Sequence, residues 1–361
     1  TALRDDRAGI VEHGRLHRTG AQIDPEVAHG VNPGAGRRIA RTPDSIGHMT
    51  GRVVVVGSLN LDLVIGLDRM PDSGETVFGQ RLEQHAGGKG LNQAVAVARL
   101  GVPVSMIGAL GDDPSGDWLR TIVDDEGIDG VGIARVPGPS GTAVIEVDRL
   151  SANRIVVIPG ANDLVTANHV SASLCALSDV AVVLTQGEVP MDAIEAAMVT
   201  GRELGAVTIL NPAPVRDYPA SLLALVDYIV PNEHEAAHLT GLPTSTTVDA
   251  SEAARALVDR GAGSVILTRG ARGIVWVTHT ASGTSGVFPV APVDTVAAGD
   301  AFCGGFAAAL AEGRTMADAL RWASATGALA TTVEGAVPSL PMREVVESEL
   351  GGLPKGVRSR Y

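Results

Sequence analysis

Val53-Val54-Val55-Val56 is a run without a polar position, and it sets the tightest limit on what this chain can fold into. Successive side chains of a strand point to opposite faces, so four valines in a row need apolar cover on both sides. Comparable Val/Ile/Leu runs recur at 104–108, 180–185, 206–210, 226–230, 263–268 and 273–277. Ala-rich stretches with helical spacing lie between and after them, at 91–100, 115–126, 191–204, 249–260, 301–312, 315–331 and 342–350. Doubly buried strands alternating with helices predict a doubly wound α/β fold, a mostly parallel sheet with helices on both faces.

Two regions break this rhythm. Residues 61–86 and 141–158 hold shorter alternating segments, such as Thr142-Ala143-Val144-Ile145-Glu146-Val147. These suit a small sheet with one exposed face, and such a sheet above the C-terminal edge of an α/β core is a lid. Residues 1–48 carry seven arginines among Gly and Pro breaks, with no sustained apolar period. They cannot bury enough surface to offset the entropy of ordering. We therefore expect a disordered extension over 1–48 with Met49 as the native start, one α/β domain over 49–350 and a tail over 351–361.

Net charge is −13, which argues against nucleic acid and membrane surfaces as partners, since both select for basic patches. The two cysteines, Cys175 and Cys303, are far apart and in no metal-ligand spacing. That pattern predicts a reducing, cytoplasmic setting without a disulfide framework. No apolar stretch reaches the ~18 residues of a membrane span.

Four segments carry groups suited to chemistry. In Asp294-Thr-Val-Ala-Ala-Gly-Asp300, small residues precede a helix start and leave the N–H groups of Ala298, Gly299 and Asp300 open to an anion. Asp300 could accept the proton of an attacking hydroxyl there, although from spacing alone it serves equally as a helix cap. His85-Ala-Gly-Gly-Lys-Gly-Leu-Asn-Gln93 is not a Walker A loop, because Gly90 stands where Ser or Thr would hold magnesium. Its glycines permit close backbone approach to a compact polar ligand, and Asn92 offers both a donor and an acceptor. Asn60 and Asp62, directly after the first strand, alternate to one face. Gln186-Gly-Glu188 ends the 180–185 strand, where ligands of α/β sheets bind. A fifth match, His234-Glu235-Ala-Ala-His238, fits the zinc-protease pattern H-E-x-x-H. It lacks a third ligand and is read as coincidence on a short helix, with a zinc hydrolase as the remote alternative.

Together and in this order, Gly87-Gly88-Lys89-Gly90-x-Asn92-Gln93 and Asp294-Thr-x-Ala-Ala-Gly-Asp300 resemble the ribokinase/minor-phosphofructokinase family of carbohydrate kinases. The resemblance runs from about residue 53 to 348. It implies that Asp300 is the catalytic base and that Ala297, Ala298 and Gly299 form the anion hole. It assigns Asn60, Asp62, Gly87, Gly88, Lys89, Asn92 and Glu188 to the sugar, and Asn232 with Glu235 to magnesium and phosphate, the metal contact being indirect. Thr268, Gly270, Gly273 and Ser324 fall to the nucleotide, with Ser324 where relatives often carry Asn or His. Asp294, Val296, Val333, Gly335 and Ser339 match positions that hold potassium. Arg269 and Val333 depart from the residues common in the family.

The implied reaction is phosphorylation of D-ribose to ribose 5-phosphate by ATP, with Mg2+ and K+, in a homodimer joined through the lid. Kinases of fructose, of a deoxy-keto sugar acid or of adenosine are the alternatives. Base recognition recruits aromatic stacking, and between residues 53 and 160 only Phe78 and Trp118 are aromatic. Asp62 and Glu188 would repel a phosphosugar, although Arg81 and Arg154 stand in the lid segments.

Overall fold

The computed structural model describes residues 50–150 and 152–352. The extension expected at 1–48 lies outside the described residues, as does the expected tail apart from residues 351 and 352. Numbered in chain order, the first strands are β1 (Arg52–Val56), β2 (Asn60–Gly66), β3 (Arg81–Gly87), β4 (Val104–Gly111), β5 (Asp129–Val136), β6 (Gly141–Val147) and β7 (Asn153–Ile158). They are followed by β8 (Val180–Gln186), β9 (Val207–Asn211), β10 (Tyr228–Ile229), β11 (Ser264–Thr268), β12 (Ile274–Thr278) and β13 (Ser282–Ser285). The helices are α1 (Lys89–Arg99), α2 (Pro114–Asp125), α3 (Ala167–Cys175), α4 (Met191–Glu203), α5 (Ala220–Leu223) and α6 (Glu233–Thr240). After these come α7 (Thr247–Asp259), α8 (Ala298–Ala311), α9 (Met316–Ala330) and α10 (Arg343–Gly352).

The large sheet has the order β13-β12-β11-β10-β9-β8-β1-β4-β5, parallel throughout except for the antiparallel β12 and β13 at one edge. The valines of β1 divide as the alternation requires. Val53 and Val55 enter one core with α1, α8 and α9, while Val54 and Val56 enter the other with α3, α4 and α7. This is the doubly wound architecture. The edge strand β5 and the short α3 were not legible as periodic runs. In β5, Gly130 and Gly132 interrupt the apolar pattern, and α3 has only Val170 and Leu174 fully buried.

β2, β3, β6 and β7 form a separate four-stranded sheet in the order β3-β2-β6-β7, over the segments expected to make the lid. Its register aligns Asn60 with both Gly87 and Gly141. β7 is exposed along its whole length, and Ile155, Val156, Val157 and Ile158 are among its exposed residues.

Helix α8 begins at Ala298, three residues before the expected start, and its small residues bring it close to its neighbours. A Cβ on Gly304 would lie 2.6 Å from the Ala96 Cβ of α1, and one on Gly305 would lie 2.8 Å from Thr326 Oγ1 of α9. Both are below ordinary contact distance, so only glycine lets the three helices approach this far. That approach places the first turn of α8 against the first turn of α1.

Candidate active site

The turn Gly87-Gly88-Lys89-Gly90 lies against the chain leaving β1, and its glycines are demanded by contact. Gly88 has φ 89°, and a Cβ there would meet Asn60 N at 2.9 Å. A Cβ on Gly87 would lie 2.0 Å from Asp62 Oδ2. Glu188, just past β8, closes the turn. Its Oε2 accepts from Ser58 Oγ at 2.5 Å and from the Lys89 main-chain N–H at 3.0 Å. Asn60 is buried, and its Oδ1 accepts from Asn162 Nδ2 at 2.7 Å. It therefore has its Nδ2 donor to offer a ligand.

Burial pushes the Asp62 carboxyl up to about 7, with the charges of Glu188 and Asp300 adding to the shift and Lys89 opposing it. The Lys89 ammonium is raised in turn, by Asp300 first and then by Glu188 and Glu235, against the cost of its burial. Asp62, Lys89, Glu188 and Asp300 are thus one electrostatic cluster. Asp62 Oδ1 and Asn92 Oδ1 are buried acceptors without a protein partner. A buried polar atom costs stability unless it is bonded, so each has room for a donor that the protein itself does not supply.

Asp300 is buried in the first turn of α8. Its Oδ2 accepts from Asn92 Nδ2 at 3.0 Å and its Oδ1 from Gln93 Nε2 at 2.9 Å, both from α1. Ala297 precedes the helix with φ 57°, and no side chain caps it. The Ala298 N–H turns back to Thr295 O at 3.3 Å. The N–H groups of Gly299 and Asp300 have no acceptor within the helix and carry its positive end. Of the three N–H groups expected to be open to an anion, that of Ala298 is therefore engaged within the loop, and those of Gly299 and Asp300 stay open. A Cβ on Gly299 would meet nothing within 4 Å, so glycine leaves open space over these donors.

A cavity of about 230 Å³ opens at this point, lined in part by Lys89, Asn211, Glu235, Thr268, Gly299 and Asp300. Cys303 lies in its wall one turn further along α8, where burial raises its thiol well above the ordinary value and keeps it neutral. Asn232 and Glu235 form a capping box at the start of α6. Both Glu235 oxygens accept from Asn232, at 2.8 Å from its N–H and 2.8 Å from its Nδ2. Glu235 is buried while His234 and His238 are exposed, so the H-E-x-x-H residues do not converge. Among the described residues no cluster of three His, Cys, Asp or Glu side chains is placed to hold a metal.

Thr268, at the end of β11, also lines the cavity, whereas Gly270 (φ 53°) and Gly273 (φ 82°) shape the turn that follows. Arg269, the departure from the family pattern, turns away from it. The side chain is buried, pairs with Glu233 at 2.9 Å and donates to Thr247 Oγ1 at 2.8 Å, which ties the start of α7 to α6. Ser324, on α9, is not in the cavity wall, but its Oγ is buried without a partner. Of the residues expected around potassium, Asp294, Val296 and Gly335 are joined by hydrogen bonds. Asp294 Oδ1 accepts from Val296 N at 3.0 Å and its Oδ2 from Gly335 N at 2.9 Å, which joins the loop before α8 to the loop carrying Val333. Ser339 is buried and donates to Ala336 O at 2.7 Å.

Several residues of the site escaped sequence reasoning. Gln93 and Gln186 stand inside recognised motifs without a visible task. Asn211 ends an unremarkable strand. Asn162 sits in a turn about a hundred residues from Asn60, and no local signal points to it.

The chain matches the family described as pfkB family carbohydrate kinase over residues 50–343. A ribokinase of Haemophilus influenzae is 37% identical over 297 residues, spanning 82% of this chain and 97% of the relative. A deoxyribokinase of Salmonella typhi is 35% identical over 294 residues, spanning 81% and 96%. The structure of Arabidopsis thaliana ribokinase complexed with ribose and ATP superposes with a TM-score of 0.77 at 31% identity, covering 84% of this chain and 99% of that one.

Proposed function

The chain belongs to the pfkB family of carbohydrate kinases, and on that premise we propose that it transfers the γ-phosphoryl group of ATP to the 5-hydroxyl of D-ribose, with Asp300 as the base. The observation that carries this reading is the position of the Asp300 carboxylate. It is held by two amide donors beside the unpaired N–H groups of Gly299 and Asp300 and next to the Lys89 cluster. Phosphoryl transfer asks for little else: a positioned hydroxyl, a group to take its proton, and donors where negative charge gathers. Ribose is held on the Asp62 side, where Asp62 Oδ1 and Asn92 Oδ1 accept hydroxyl protons, Asn60 donates, and Glu188 with Gly87 and Gly88 shapes the turn. The 5-hydroxyl proton passes to Asp300 as its oxygen forms the bond to phosphorus. ADP leaves with the electrons of the broken P–O bond.

Thr268 and the turn at 270–273 flank the nucleotide, and Ser324 Oγ offers a hydrogen bond beside the adenine. Magnesium, arriving with ATP, supplies charge neutralisation between the phosphates. Both Glu235 oxygens are committed to Asn232, so this pair would reach the ion through its waters. Potassium would suit the loops at 294–296 and 333–339, where Asp294 and main-chain carbonyls would offer oxygen donors; bound there, it would stiffen the entry to α8. The small sheet acts as the lid, and its apolar edge strand β7 supports a homodimer formed lid to lid. Sedimentation at low and high protein concentration tests the dimer. A cytoplasmic setting belongs to the same reading and suits the free thiols of Cys175 and Cys303.

The substrate is tested by kcat/KM for ribose, 2-deoxyribose, fructose, adenosine and fructose 6-phosphate with magnesium-ATP and potassium present. Ribose is expected to lead. A higher value for any other compound would overturn the substrate and leave the kinase chemistry standing.

A further inference from the structure

The hydrogen-bond chain on Asp300 continues into the core. Asn211, at the end of β9, donates through Nδ2 to the main-chain carbonyl of Val230 at 3.0 Å. A carbonyl only accepts, so this contact fixes which pole of the Asn211 amide carries the oxygen. Asn211 Oδ1 therefore faces Gln93, whose Nε2 donates to it at 3.2 Å. The second proton of the same Nε2 goes to Asp300 Oδ1 at 2.9 Å. Gln93 Oε1 is left as an acceptor, and Gln186 Nε2 fills it at 2.7 Å. Each link runs in one sense because a backbone carbonyl terminates the chain. Gln93 and Gln186 are both 0% exposed, so no bulk solvent competes for their amides.

We propose that Gln93 is a positioning residue for phosphoryl transfer: its amide, held in one orientation by Asn211 and Gln186, stops the Asp300 carboxylate from rotating. Asn92 bonds the other carboxylate oxygen, but it keeps a free buried acceptor for a ligand and so belongs with the substrate contacts. Gln93 is sealed from the substrate and acts only through Asp300. With a donor on each oxygen, the carboxylate plane is fixed at the cavity wall. Buried amides that merely filled space would affect stability without affecting turnover, and this separates the two roles. The inference rests on Asp300 being the base.

The test is a mutant cycle of Gln93→Met and Gln186→Met, each alone and combined with Asp300→Ala, read as kcat, ribose KM and melting temperature. Gln93→Met is expected to lower kcat by about 10–100-fold, the range typical for loss of a group that orients a reacting residue, with ribose KM within about threefold of wild type. Gln186→Met frees the oxygen pole of Gln93 and is expected to lower kcat by a smaller factor of about three to ten. Neither change should matter once the Asp300 carboxylate is gone, since groups that act as a unit are not additive. Unchanged kcat in Gln93→Met, or losses that multiply with that of Asp300→Ala, would overturn the inference. If Gln93→Met does not fold, Gln186→Met takes its place in the cycle, and unchanged kcat or multiplying losses there overturn the inference equally. Asp300→Ala by itself reports on the base: retention of more than about a tenth of kcat would remove that reading whatever Gln93 does. Severe loss there with multiplying Gln93 losses sinks the present inference alone.

Discussion

Asn92 Nδ2 donates to Asp300 Oδ2 across 3.0 Å, although 208 residues separate the two along the chain. The contact joins the first turns of α1 and α8, so the two Gly-containing motifs meet at a single carboxylate.

Asp300→Asn keeps the shape of that junction and removes its capacity to take a proton. We expect kcat to fall about a thousandfold or more, the scale of losing a base and its charge in a preorganised site. Ribose affinity, measured by calorimetry, should stay within about threefold, because the other sugar contacts remain. Near-normal turnover would sink the role assigned to Asp300.

Two glycine substitutions should separate stability from function. In Gly299→Ala the new methyl meets no protein atom within 4 Å and sits in a helix. The fold should therefore hold or gain about 0.5–1 kcal/mol, the usual helical preference for Ala over Gly. The methyl still occupies the space above the free N–H groups, so kcat/KM for ATP should drop by about tenfold. In Gly87→Ala the methyl would lie 2.0 Å from Asp62 Oδ2. Asp62 must move, and ribose KM should rise by about tenfold or more. Unchanged constants in both variants would place phosphate and sugar elsewhere.

The raised Asp62 carboxyl makes sugar binding and stability respond to pH in opposite directions. The stability conferred by its neutral form is complete below the ordinary value of 3.8 and is lost as pH rises through about 7. The melting temperature of the ligand-free protein should therefore fall from about pH 4 to about pH 7 and level off above that. Ribose KM should fall as pH rises through about 7, because an ionised carboxylate accepts hydroxyl protons more strongly. Asp62→Asn should flatten both trends, and thermal scans and kinetics at matched pH would show whether it does.

Potassium should raise activity above that in sodium. Asp294 already ties the loop before α8 to the loop at Gly335, and a bound ion would stiffen the same junction without touching substrate. Equal rates in potassium, sodium and a bulky organic cation would refute the site. Asp294→Ala should abolish any potassium response while leaving the sodium rate within about threefold.

Which faces are buried was legible from sequence spacing, because alternation along a strand and the turn of a helix are local properties. The valines of β1 therefore announced a sheet covered on both sides, and the two Gly-containing motifs marked the starts of α1 and α8. The tertiary structure decided how polar groups pair. Whether the Ala298 N–H faces a phosphate or turns back to Thr295 depends on the left-handed Ala297. Whether Arg269 reaches the nucleotide or locks α6 to α7 depends on Glu233 and Thr247. Gln93, Asn162, Gln186 and Asn211 take their tasks from partners up to about two hundred residues away. A hydrogen bond is directional and short, so its partner exists only once packing has brought the two groups within about 3 Å. Burial, which is neither directional nor specific to one partner, leaves its mark in the order of the residues.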